Sequence, residues 1–178
     1  MNFPSTKARQ SAPKTLVEVM DAKNTPLGVM PLPEVRRQRL FYRVAVVLIY
    51  NQENKLCLRK RKDTRMASPG RWDISIRTHL QIGEGSLDAA CRKIREHLGE
   101  FRTIPVFGYT IQPTVETEDS FINIYTLKRF EMQPYCTTSG ETLFVDRDEL
   151  SGLLKHCPEH VTPLLVYLWN QDMLFVRR

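Results

Sequence analysis

Short apolar runs separated by turn formers fill most of the chain, and one central stretch breaks that rhythm with a helical period. Residues 43–50 are dense in β-branched side chains and predict the firmest strand. Asn51-Gln52-Glu53-Asn54 reads as a turn, and residues 55–62 read as the partner strand. There Leu56 and Leu58 would share one face, and Cys57 and Arg59 the other. Residues 16–20 and 27–30 predict a hairpin about a turn at 21–26. Residues 33–40 suit a short basic helix, with Pro33 in the first turn where its missing N–H costs little. Residues 66–70 read as a loop and 72–79 as extended.

The helical period falls at residues 86–98, where Leu87, Ala90, Cys91, Ile94 and Leu98 recur at helix spacing. Ser86 suits the cap, Asp88 the positive end, and Gly99 a left-handed stop. Further strands are expected at 106–112, 121–130 and 142–145, and helices at 147–155 and 162–174. Strands on both sides of a central helix predict an α+β class, a mixed α/β sandwich. No internal repeat is visible.

With 178 residues, 42% of them hydrophobic, the chain can bury one proper core. Residues 15–178 are expected to form a single domain, and the aperiodic polar residues 1–14 a disordered tail. The net charge of +6 favours anionic partners such as phosphates and nucleotides, or else reflects scattered, solvated Lys and Arg. Cys57, Cys91, Cys136 and Cys157 form no C-x-x-C pair, which argues against a zinc site of that type. No apolar run reaches the length of a membrane span, and the N-terminus lacks a secretory apolar region. A cytoplasmic address is expected.

Residues 84–100 carry the chemistry: Glu84, Arg92, Ile94, Glu96 and Gly99 match the spacing Gly-x5-Glu-x7-Arg-Glu-U-x-Glu-Glu-x-Gly-U, where U is bulky and aliphatic. This stretch resembles the Nudix box. Thr78 stands for the first Gly, Lys93 for the Glu after Arg, His97 for the last Glu, and Glu100 for the final aliphatic residue. The likeness extends to Pro69-Gly70-Arg71-Trp72-Asp73-Ile74-Ser75, His79-Leu80-Gln81-Ile82-Gly83-Glu84 and Phe144-Val145-Asp146-Arg147-Asp148-Glu149-Leu150. These are similar to the superfamily branch containing isopentenyl-diphosphate isomerase. The resemblance covers roughly residues 16 to 175 and implies the Nudix fold, a mixed sheet between helices.

It also implies Mg²⁺ or Mn²⁺ as cofactor and a small-molecule diphosphate or nucleotide as ligand. A homodimer fits the superfamily. In relatives, three helix carboxylates hold metals that bridge the diphosphate and activate water. The matching positions here are Lys93, Glu96 and His97, whose i, i+3, i+4 spacing places them on one face. Their formal charge is near zero in place of −3. Exchanging Glu for Lys beside a divalent ion costs about 4 kcal/mol at ~4 Å even in water-like dielectric. A millimolar metal site has only about 4 kcal/mol of binding free energy. The expectation is impaired or altered metal-dependent chemistry, with no metal at all as the limiting case.

Glu96, Glu84 and His97 are the candidate catalytic residues, and Glu96 and His97 the candidate metal ligands. A surface histidine near a helix C-terminus is the plainer reading of His97. Arg92 is expected to pair with Glu96, while Gly83 and Gly85 would allow the loop its turn. Lys93 could instead salt-bridge a diphosphate directly. The basic stretch Lys55–Arg65 would place Arg59 and Arg61 on one face for phosphate contact, with Lys60 and Lys62 opposite; a solvated strand end is the plainer reading. Arg36, Arg37 and Arg39 form a second basic group. Glu116-Thr117-Glu118-Asp119 reads first as an exposed loop, and by resemblance as a source of a base or ligand.

Three functions follow: diphosphate hydrolysis, a catalytically silent diphosphate-binding or regulatory module, and isopentenyl-diphosphate isomerisation. Against the last, the isomerase cysteine would fall near Arg77 and an upstream His ligand appears as Tyr42. Nucleic-acid binding is disfavoured, because aromatics do not interleave with the basic residues.

Overall fold

Strand β3 (Tyr42–Ile49) runs through the middle of the molecule because almost every residue in it is buried. Val44, Val46 and Leu48 face one core, while Ala45, Val47 and Ile49 face the other. Both edges are hydrogen-bonded as well. The computed structural model describes residues 15–63, 68–100, 102–128 and 141–175. The expected tail at 1–14, Arg65, Met66, Cys136 and the end of the expected strand 121–130 lie outside the described residues.

The hairpin β1 (Leu16–Met20) and β2 (Pro26–Pro31) forms as expected and leads into α1 (Leu32–Arg37), with Pro33 in its first turn. In sequence order come β4 (Leu56–Lys60), β5 (Trp72–Asp73), β6 (Ile76–His79), α2 (Ser86–Leu98), β7 (Val106–Ile111), β8 (Ser120–Leu127) and β9 (Thr142–Val145). Helix α3 (Arg147–His156), a 3-10 turn (Pro158–His160) and α4 (Pro163–Asn170) close the described chain. The central sheet is ordered β6-β3-β8-β7; β3 and β8 are parallel and the other pairs antiparallel. Helix α2 covers one face through Ala89, Ala90 and Ile94. Leu150 of α3 and Leu164, Leu165 and Leu168 of α4 help cover the other. The mixed sheet between helices is the expected α+β architecture.

Several local expectations need correction. Strand β4 follows the expected turn, in which Asn51 Oδ1 accepts from the Glu53 and Lys55 amides at 3.0 and 2.9 Å. It does not pair with β3 beyond a single bridge, Tyr50 to Leu56. It belongs to a second sheet, β5-β4-β9. The reason is Ser75, whose buried hydroxyl stands between the two strands. It accepts from the Ile49 amide at 2.9 Å and donates to the Cys57 carbonyl at 2.6 Å. The extended residues 72–79 are accordingly two strands, one in each sheet. Leu56 and Leu58 do face one core and Cys57 the other.

On α2, Ser86 is not the cap; Gly85 is, and the Ser86 hydroxyl bonds the Tyr125 hydroxyl at 2.7 Å. The buried stripe is rotated by about one position. Ala89 is buried, whereas Leu87 is 40% exposed and Cys91 only half-buried. Small alanines let the helix sit close on β3. Gly99 ends α2 at φ +77°, the positive region expected of it. Helix α4 stops at Asn170, short of residue 174, because the chain turns through Asp172 at φ +54°.

Replacing Ser75 with Ala should leave a buried amide and a buried carbonyl without partners. Urea unfolding is expected to report a loss of about 2 kcal/mol or more, against about 1 kcal/mol for Asp146→Ala, which removes the α3 cap and an exposed ion pair with Lys55.

Candidate basic cleft beside the box helix

The loop before α2 is held by its own backbone and by one carboxylate. Gly83 takes φ +72°, where a side chain would be strained, whereas Gly85 is ordinary extended chain. The Gln81 amide donates to Glu84 Oε2 at 2.8 Å. Arg92 clamps Glu84 with two bonds, Nε to Oε1 at 2.7 Å and Nη2 to Oε2 at 2.9 Å. The Arg92 guanidinium, with burial working against it and the Gln81 amide helping, holds the Glu84 carboxyl below its usual range. The expected Arg92–Glu96 pair is present but looser, at 3.4 Å. Glu96 is bound more tightly by the Lys93 ammonium, which is the leading cause of its lowered pKa. Glu84, Arg92, Glu96 and Lys93 thus form a chain of alternating charge along the helix.

Beside this helix lies a cleft of about 330 Å³. Seven Arg and Lys side chains line it against two carboxylates, Asp73 and Glu118. Arg59, Lys60, Arg61 and Lys62 all line it, so the expected split into two faces does not hold: it fails at Lys60, the last residue of β4. Arg61 Nη1 donates to Asp73 at 2.9 Å. Asp73 is buried and also accepts from the Thr162 hydroxyl and the Ile74 amide, both at 2.9 Å. Arg36 and Arg77 both reach Glu118, at 3.4 and 3.1 Å. His79 lies below the ordinary imidazole range, through burial first and then the nearby Arg92, Arg36 and Lys93 charges. Two buried polar atoms on the cleft have no hydrogen-bond partner among the described residues, the Tyr42 hydroxyl and Arg61 Nε.

Of the residues singled out from sequence, Lys93, His97, Arg59 and Arg61 come together on this cleft. Glu96 and Glu84 are not among its lining residues. Glu96 adjoins it through Lys93, and Glu84 spends both oxygens on Arg92 and the loop. The divalent-ion set implied by the resemblance does not fit these side chains. Among the described residues no three His, Cys, Asp or Glu groups are placed to hold a metal ion. Glu96, the one carboxylate left among the three matching helix positions, already contacts two cations. Arg77 and Tyr42 were not anticipated as anion-facing groups. Both sit in extended, largely apolar segments, where alternation alone leaves their facing open. Glu118, expected in an exposed loop or by resemblance as a source of a base or ligand, faces Arg36 and Arg77. Among the described residues no helix is long and apolar enough to cross a membrane.

The NUDIX domain family model matches residues 40–177. A 91-residue stretch, 51% of the chain, is 32% identical to an uncharacterized Nudix hydrolase of Pseudomonas aeruginosa and spans 54% of that relative. An isopentenyl-diphosphate Delta-isomerase of Cereibacter sphaeroides is 26% identical over 150 residues, covering 79% of this chain and 85% of the relative. A crystal structure from Deinococcus radiodurans superposes with a TM-score of 0.73 at 20% identity, over 88% of this chain and 98% of that one. A MutT protein from Methanosarcina mazei gives 0.52 at 13% identity, over 74% and 91%. The two structures share the fold, and the family match spans most of the sequence. The chain belongs to the Nudix family.

Proposed function

We propose that this chain binds a nucleoside or other organic diphosphate in the basic cleft and hydrolyses it weakly or by altered chemistry. The observation that carries this reading is the Lys93 ammonium on the cleft wall, where relatives place a metal-binding carboxylate. An ammonium is a compact point charge with three donors, suited to phosphoryl oxygens. Arg59 of β4 and Arg61 just beyond its end supply planar donors to the same cleft. The buried, unpaired Arg61 Nε is a donor available to a ligand oxygen. In this reading Lys93, Arg59 and Arg61 bind, His97 lies beside the phosphate, and Glu96 positions Lys93. Glu84, Arg92, Gly83 and Gly99 fix the helix and its loop.

Isomerisation is the second reading, favoured by the isopentenyl-diphosphate isomerase relatives. Against it, no cysteine lines the cleft, and Arg77 and Tyr42 stand where the isomerase pattern would place its thiol and histidine. A regulatory module that binds without turnover is the limiting case of the first reading. The expected cytoplasmic address and homodimer belong to the same proposal.

Three outcomes test it. Calorimetry with ADP in EDTA should give an affinity within about twofold of that in Mg²⁺, and Lys93→Glu should weaken it about tenfold or more, the scale of one charged hydrogen bond. Brisk Mg²⁺-dependent diphosphate hydrolysis abolished by Glu96→Gln would refute the altered chemistry. The Glu84–Arg92 clamp has its own signature. A depressed folded-state pKa contributes stability above the ordinary Glu value of about 4.3 and loses it as pH falls through the folded value. The melting temperature of the wild type should therefore exceed that of Glu84→Gln at pH 7, and the gap should close below about pH 4.

A further inference from the structure

Two guanidinium groups of the cleft share a single carboxylate. Arg36 Nη2 lies 3.4 Å from Glu118 Oε2, and Arg77 Nη1 lies 3.1 Å from Glu118 Oε1. Arg77 Nη2 also donates to the Thr117 carbonyl at 3.1 Å. The Tyr42 hydroxyl lines the same cleft and is shut off from bulk solvent. It faces Arg36 without the geometry of a hydrogen bond. A buried hydroxyl without a partner is costly, and few such groups persist in folded proteins without a functional reason.

Glu118 is delivered there by a backbone that L-residues seldom adopt. Glu118 and Asp119 take φ of +56° and +55° in succession. The turn is tied down by other groups. Thr117 Oγ1 accepts from the Thr114 amide at 2.8 Å and donates to the Thr114 carbonyl at 3.1 Å. Asp119 binds Arg39 with two bonds, at 2.9 and 3.2 Å. The Glu118 side chain therefore holds no part of its own loop. It supplies charge to two arginines.

A carboxylate between two guanidinium groups occupies the place of a phosphoryl oxyanion. We infer that Arg36, Arg77 and the Tyr42 hydroxyl form a second anion subsite, and that Glu118 is its resident counter-ion, displaced when a phosphoryl group enters. The inference rests on the reading of the cleft as a diphosphate site, with Lys93, Arg59 and Arg61 holding the first pair of phosphoryl groups. With Glu118 displaced, Arg36 and Arg77 offer two positive charges to a phosphoryl group beyond that pair. The ligand class is a polyphosphorylated small molecule with at least three phosphoryl groups.

Titration calorimetry of the full chain with inorganic tripolyphosphate in EDTA tests this. Glu118→Gln keeps the shape and removes the charge. It should tighten binding about tenfold, as for a site whose open form rises from about a tenth of the population to nearly all of it. Arg77→Gln added to Glu118→Gln should erase the gain. Arg36→Gln, at a half-exposed side chain, should weaken binding by the otherwise wild-type protein. No gain in Glu118→Gln, or a gain that survives loss of Arg77, overturns the subsite. Should Glu118→Gln fail to fold, unchanged affinity in Arg36→Gln overturns it alone. Lys93→Glu separates the two readings. Binding that responds to Glu118 and not to Lys93 keeps the subsite and refutes the diphosphate assignment; the reverse pattern keeps the assignment and refutes the subsite.

Discussion

The passage of residues 72–79 from one sheet to the other is the constraint on which the site depends. Ser75 occupies the seam between β3 and β4 and satisfies one backbone group on each. Two residues earlier, Asp73 ties Arg61 of the β4 end to Thr162, which in turn caps α4 by accepting from the Leu165 amide. Two residues later, Arg77 and then His79 emerge on the cleft wall. One short segment thus fastens both sheets, the last helix and the cleft.

The second determinant is the charge balance of α2. Its face carries Arg92, Lys93 and Glu96, Glu84 joins them from the preceding loop, and each carboxylate is met by a cation. A divalent ion would have to separate Glu96 from two partners and approach Lys93. Coulomb repulsion of that ammonium, about 2 kcal/mol at ~4 Å even in water-like dielectric, opposes each such approach. The same arithmetic favours an anion. The family fold is retained, and on the proposed reading the preferred sign of the bound charge is inverted, consistent with the independence of fold and chemistry.

Much of this was legible in the sequence. The β-branched run at 43–50, the hairpin around the turn at 21–26 and the strand at 142–145 all formed where expected. The spacing of Glu84, Arg92, Ile94, Glu96 and Gly99 located the helix and the family together. What failed did so for identifiable reasons. Turn chemistry at 51–54 predicts a reversal but says nothing of which strand the chain then pairs with, and Ser75 decides that from 18 residues beyond Cys57. Helical periodicity cannot separate Leu87 from Ala89 when the neighbouring strand leaves room only for a methyl group. The placement of Arg36, Arg77 and Glu118 is tertiary. It joins α1, β6 and the turn before β8, and no local pattern carries that information.

The alternating chain of charges along α2 also bears on the history of the site. Restoring a carboxylate at position 93 alone would leave Glu96 with only its loose contact to Arg92 and would still leave a histidine at 97 and a threonine at 78. An exchange at position 93 would thus remove the ammonium without completing a ligand set, and one at 97 or 78 would leave the ammonium in place. Several exchanges would have to be made together to turn this face into a set of metal-binding carboxylates, because its present charges satisfy one another.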